Sequence, residues 1–224
     1  MQTIAITINK GGVGKTTLTK SLATAATAAG FNVVMLDMDT QQNAESWSKR
    51  RASQQGKPLP LARFTTEADL ADELAKAKRA GCDLAFIDTP PGRSSEALAA
   101  VEAADVVLIP FWNDQDAYEG VLRTSSMLRR MGKRGFGILN FATPNSRSHE
   151  DTARAVLETI GLPMAPVVLH RYDAHRLASI KGLTAQENEP DGVAATEVEL
   201  LWDWLAAILQ MGTGATVHKK GEVA

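Results

Sequence analysis

The sequence predicts a doubly wound α/β fold, an open and mostly parallel sheet with helices on both faces. Three observations carry this. Short apolar runs rich in β-branched residues alternate with helix-length segments almost to the end of the chain. The runs are continuously apolar rather than alternating, which marks strands covered on both faces. A length of 224 residues, with 44% hydrophobic and 22% charged residues, suffices for one sizeable core.

Residues 3–8 (TIAITI) form the first β-branched run, followed by a helix over 16–29 that Gly30 closes. Residues 31–36 are an apolar strand ending in acids. Leu70, Leu74 and Ala77 give 67–79 helical spacing, and 84–87 is a short buried strand. The run 106–109 is another, with a helix over 118–131. Strands at 136–141 and 167–169 enclose a helix at 152–160, and Leu200, Leu201, Trp204, Leu205, Ile208 and Leu209 form the stripe of a closing helix, with Trp202 at its edge. Strands joined through helices require right-handed crossovers, and ligands of such sheets sit at the carboxyl ends of the strands. One domain over 1–211 is expected, with 52–60 the least ordered internal stretch and 212–224 a flexible tail.

Composition narrows the function. One cysteine, Cys82, excludes a disulfide framework or a cysteine-ligated cluster within the chain. The four histidines lack metal-ligand spacing. No stretch approaches the roughly 20 apolar residues of a membrane helix, and the N-terminus lacks the basic n-region of a signal peptide, so a cytoplasmic protein is expected. A formal charge of −2 argues against a globally basic nucleic-acid binder but leaves room for a local basic face.

The chemistry begins directly after the first strand, at Asn9-Lys10-Gly11-Gly12-Val13-Gly14-Lys15-Thr16-Thr17. Glycines allow successive backbone N–H groups to turn around phosphate oxygens, and the helix that follows adds the positive end of its dipole. Lys15 reaches the terminal phosphates and the Thr16 hydroxyl can ligate Mg²⁺, so residues 11–17 form the predicted ATP-binding loop. The second strand ends in Asp37-Met38-Asp39-Thr40-Gln41-Gln42-Asn43. Asp37 supports either the Mg²⁺ shell or the switch loop; alternatively the acids cap a helix starting near Asn43. Asp88, after four apolar residues, is placed as a Walker B carboxylate on the Mg²⁺ side of the nucleotide, with residues 89–92 as a second switch.

The loop departs from the usual GxxxxGK[ST], since Asn9 replaces the first glycine and Lys10 precedes the glycine pair. In this deviant form, KGGVGKTT, it resembles the ParA/MinD (SIMIBI) family of P-loop ATPases, and its position near the N-terminus resembles the small, ParF-like members. The likeness extends to the second acidic motif, close to that family's DxDPQxN with Thr40 in place of proline. It implies that Lys10 reaches across an ATP-dependent homodimer to the partner's phosphates, that Asp39 activates the attacking water, and that Asn140 hydrogen-bonds adenine. Asp116 resembles an acidic position near the family's dimer interface. It further implies non-specific DNA binding on the nucleoid, plasmid or chromosome partition, and stimulation by a ParB-like adaptor. The basic residues that could face DNA are Arg147, Arg154, Arg171, Arg176 and Lys181; residues 171–182 resemble the basic stretch of small ParA proteins, or else form an ordinary solvated helix face. The C-terminal residues lack the apolar stripe of a membrane-binding helix. Two alternatives stay open: a positioning ATPase for a protein assembly, and a metabolic enzyme such as a dethiobiotin-synthetase-like ligase.

Overall fold

A computed structural model describes residues 1–92, 95–144 and 147–211. Six strands, β1 (Gln2–Ile6), β2 (Val33–Asp37), β3 (Leu61–Phe64), β4 (Leu84–Asp88), β5 (Val106–Phe111) and β6 (Arg134–Leu139), form one sheet in the order β3-β2-β4-β1-β5-β6. Every pairing is parallel. The helices are α1 (Lys15–Ala28), α2 (Asn43–Gln55), α3 (Leu70–Arg79), α4 (Ser95–Ala103), α5 (Gln115–Met131), α6 (Arg147–Thr159), α7 (Asp173–Ile180), α8 (Ala185–Asn188) and α9 (Val193–Ile208). The expected tail at 212–224 lies outside the described residues.

The apolar runs explain the layering. Ile4, Ile6, Met35, Leu84, Phe86 and Leu108 point to one face, packing with α1 and α9. Ala5, Val34, Leu36, Ala85, Ile87 and Val107 point to the other, packing with α3, α4, α5 and α6. Both faces are thus covered, as the continuous hydrophobicity requires. In α9, Leu201 and Leu205 are fully buried, but Trp202 is inside and Leu200 is 52% exposed, the reverse of the expected edge.

Two strand assignments change. Residues 167–169 run beside β6 without forming a strand: Leu169 N donates to the Leu139 carbonyl and Ala142 N to the Leu169 carbonyl, giving only isolated bridges. Pro163 and Pro166 lack the N–H that a continuous ladder needs. The sixth strand is instead β3, a four-residue edge strand behind Pro58 and Pro60. The stretch 52–60 is correspondingly better ordered than expected, since α2 continues to Gln55.

A second junction braces the molecule. Arg51, 4% exposed, makes paired hydrogen bonds of 2.5 and 2.6 Å to Glu187 and also donates to the Leu59 and Gly182 carbonyls. Trp47 Nε1 and Gln55 Nε2 donate to Leu183 and Lys181 in the same turn. Gly182, at φ +72°, is needed here because a Cβ would lie 2.8 Å from the Arg51 backbone. Removing Arg51 leaves the largely buried Glu187 with only the half-exposed Lys57, at 3.1 Å, as a cationic partner among the described residues. We expect Arg51→Met to lower unfolding free energy by about 3–5 kcal/mol in urea titrations, and Arg51→Met/Glu187→Leu to lower it less; equal losses would show that the charge pairing is immaterial.

Candidate active site

β1 is flanked by β4 and β5, and α1 leaves its C-terminal end through the glycine loop. Gly14 occupies the N-cap of α1 at φ +88°, with no side chain capping the first turn and no acid within it. The first N–H groups of α1 are therefore available to an anion. A Cβ on Gly14 would lie 2.3 Å from Asn140 Nδ2 and 2.9 Å from the Phe141 ring, so only glycine permits this close approach. Lys15 is buried, and its ammonium donates to the Lys10 carbonyl at 3.2 Å, folded back over the loop. Burial lowers its pKa, partly offset by Asp88 and Asp39 nearby. The loop thus concentrates a cation and free backbone donors at one point.

Asp88 is fully buried at the end of β4. Burial pushes its pKa up to about 7, against a Thr16 hydrogen bond and the cations of Lys15 and Lys20, which pull it down. One oxygen accepts from Thr19 at 3.4 Å; the other, Oδ2, has no hydrogen-bond partner. A buried carboxylate oxygen without a donor, beside a threonine hydroxyl, fits a hard divalent cation. Thr16 and Asp88 are the residues that would hold Mg²⁺.

Asp37, expected as a possible metal ligand, is committed elsewhere. Its Oδ2 accepts from Ala44 N at 2.8 Å and Glu45 N at 3.1 Å, and its Oδ1 from Asp39 N at 3.1 Å. Both oxygens thus hold the start of α2 and the acidic loop, the helix-capping alternative. Asp39 remains half-buried, its Oδ1 accepting from Gln41 N at 2.9 Å. Thr89, in the second switch, is buried and donates to the Ile6 carbonyl.

Asn140, the expected adenine contact, also holds the loop in this structure. Its Nδ2 donates to the Val13 carbonyl at 2.8 Å and its Oδ1 accepts from Phe141 N at 3.0 Å, so the amide braces the phosphate loop. Three partnerless polar atoms lie next door. Trp112 Nε1, Arg50 Nε and His175 Nδ1 are buried without hydrogen bonds, and all three side chains line a cavity of about 770 Å³ beside Gly12 and Thr17. Its size and mixed lining suit a nucleoside whose phosphates rest on the loop. Sequence reasoning missed these residues. Trp112 follows β5, a strand end like the other sites, which was a usable signal; Arg50, mid-helix, carried none.

Lys10 stands at the loop rim, 27% exposed, ion-paired at 2.8 Å to Asp116, which is 74% exposed. The basic residues divide between two helices. Arg171 precedes α7, Arg176 lies on it and Lys181 caps it, Arg171 and Arg176 also bordering the same cavity, while Arg147 and Arg154 belong to α6, where Arg154 pairs with Glu150. Arg50 from α2 joins the α7 group through a hydrogen bond to the Ser179 carbonyl.

Comparison with known proteins agrees with this geometry. A family model described as the CobQ/CobB/MinD/ParA nucleotide binding domain matches residues 4–198. The maintenance of carboxysome distribution protein A of Gloeobacter kilaueensis is 32% identical over 213 residues, covering 90% of this chain and 94% of that protein. The chromosome-partitioning ATPase Soj of Thermus thermophilus is 36% identical over 143 residues, covering 53% and 57% respectively. The crystal structure of the cell division ATPase MinD from Pyrococcus furiosus superposes with a TM-score of 0.76 at 17% identity, covering 92% of this chain and 99% of that one. Among the described residues, no helix is long and apolar enough to cross a membrane.

The state of Asp88 has a pH signature. Its carboxyl ordinarily titrates near 3.8 and is raised to about 7 in the fold, so between those values the folded chain keeps a proton that the unfolded chain has lost. Stability therefore falls as pH rises through that window. Without nucleotide, we expect wild-type unfolding free energy to drop by about 2 kcal/mol from about pH 5 to 7 relative to Asp88→Asn. Parallel profiles in urea titrations would contradict a carboxyl whose pKa burial raises.

Proposed function

Because the chain belongs to the CobQ/CobB/MinD/ParA nucleotide-binding family, we propose that this ATPase closes into a homodimer around two ATP molecules, holds DNA non-specifically in that state, and positions a cargo. A ParB-like adaptor stimulates hydrolysis and so times release. The observation that carries the reading is Lys10. Among the described residues its ammonium is ion-paired at the rim to the exposed Asp116, an interaction of small worth, and is therefore available to a second molecule's phosphates. A cation supplied in trans offsets charge on the transferred phosphoryl group.

The remaining residues divide the work. Lys15 and the 11–17 backbone hold the phosphates, and Asp39 orients and deprotonates the attacking water. Thr16 and Asp88 hold Mg²⁺, which when bound neutralises phosphate charge. Trp112, Arg50 and His175 enclose the nucleoside, with Asn140 keeping the loop in shape. Arg171, Arg176 and Lys181 form the DNA face, doubled by dimerisation. Work of this kind places the protein in the cytoplasm, on the nucleoid.

Two readings of the cargo have support. The relative matched over 94% of its own length is named for carboxysome distribution, which favours a protein assembly. The partition ATPase Soj, matched over 57% of its length, supports plasmid or chromosome segregation. A metabolic ligase is disfavoured, since Lys10 at the loop rim would have no task in it.

The test is a mobility shift on random-sequence duplex DNA. We expect retention with a nonhydrolysable ATP analogue and Mg²⁺ but not with ADP, and at least about a tenfold weaker, less salt-dependent retention for Arg171→Glu/Arg176→Glu at analogue concentrations shown to saturate the variant, since both residues also border the nucleoside cavity. Retention indifferent to nucleotide, or unchanged in the double variant, would refute the assignment of this face.

A further inference from the structure

We propose that the groove between α4 and α5 docks an acidic, amphipathic segment of a partner protein. The groove encloses about 970 Å³ on the side of the sheet opposite α1 and α9. Its floor is apolar: Leu98 and Leu122 are 43% and 45% exposed, with Ala97 and Met127 beside them. Exposed leucines facing each other across a concavity are the usual seat of a helix laid apolar side down.

The rim sets the charge of the occupant. Arg123, Arg129 and Arg130 all border the groove. Arg123 pairs with Glu119 on the same helix, both half exposed, so that bond competes weakly with an incoming carboxylate. Arg129 donates to the Ile160 carbonyl and to the Ser125 and Ser126 hydroxyls, neutral acceptors that leave its charge uncompensated. Arg130 makes no ion pair among the described residues. Three guanidinium groups border these leucines, and among the described residues only Arg123 meets carboxylates, Glu119 in an ion pair and Asp116 at longer range; the surplus positive charge complements a segment carrying leucines on one side and Asp or Glu on the other.

The position gives the surface a task. At one end the groove reaches Thr7 and Asn9, where β1 runs into the phosphate loop, and Gly92, which closes the second switch after Asp88. A segment seated there touches both strands' outlets to the γ-phosphate. The inference extends the proposed function by naming the chemistry of the adaptor's docking segment.

The test uses the full chain and a fluorescent synthetic helix with leucine at i, i+3, i+4 and i+7 and glutamate on its other face, beside a counterpart with lysine for each glutamate. Anisotropy should show saturable binding of the acidic helix only. Affinity should fall at least about tenfold in Arg123→Glu/Arg130→Glu and in Leu98→Ser/Leu122→Ser, both surface variants, with thermal unfolding and ADP binding unchanged as evidence of folding. Binding of neither helix, equal binding of both, or wild-type affinity in the variants would overturn the proposal. So would self-association of the wild-type chain in sedimentation that Leu98→Ser/Leu122→Ser abolishes, since the occupant would then be a second copy. These readouts are independent of DNA retention, so the groove and the DNA face stand or fall separately.

Discussion

Two carboxylates buried side by side at the C-terminal edge of the sheet govern the site. Asp37 and Asp88 end adjacent strands in register, and neither is exposed to water. Their fates diverge. Asp37 is satisfied by three backbone N–H groups, whereas Asp88 keeps one oxygen without a donor. Leaving a buried acceptor unpaired is costly, and the fold tolerates it where Lys15, Thr16 and Lys20 converge. Lys20 itself is pushed down to about 8 by burial. The result is a small polar chamber that a metal–nucleotide complex would complete electrostatically.

The same pair organises the surroundings. By accepting from Ala44 and Glu45, Asp37 fixes the start of α2, and through Asp39 N it fixes the loop carrying the candidate base. The second half of α2 is bolted by Arg50 to the last turn of α7 and by Arg51 to the turn that follows it. The acidic loop and the basic helix are thus two ends of one braced unit, with Arg50 shared between the nucleoside cavity and the basic group.

Much of this was legible in the sequence. Strands buried on both faces announce themselves as unbroken apolar runs, and the glycine loop is local chemistry at fixed spacing, so β1, β2, β4, β5, β6 and the phosphate loop could be read directly. What failed to show depended on distant partners. β3 is a short edge strand whose pairing with β2 no local pattern specifies, and residues 167–169 look like a strand until the prolines beside them are counted against the ladder. Asp37 and Asn140 were recognised as important residue types, but their partners, the α2 backbone and Val13, are set by tertiary geometry. Arg50, Trp112 and His175 come from α2, the end of β5 and α7 and meet only in the folded chain.

The central claim is that this site is half of a whole, completed by a second copy and its Lys10. Sedimentation equilibrium of the full chain with Mg²⁺ and a saturating nonhydrolysable ATP analogue tests it most directly. The account predicts a mass of two chains with the analogue and of one chain with ADP, with Lys10→Ala weakening the dimer. A single-chain mass under both nucleotides would contradict it.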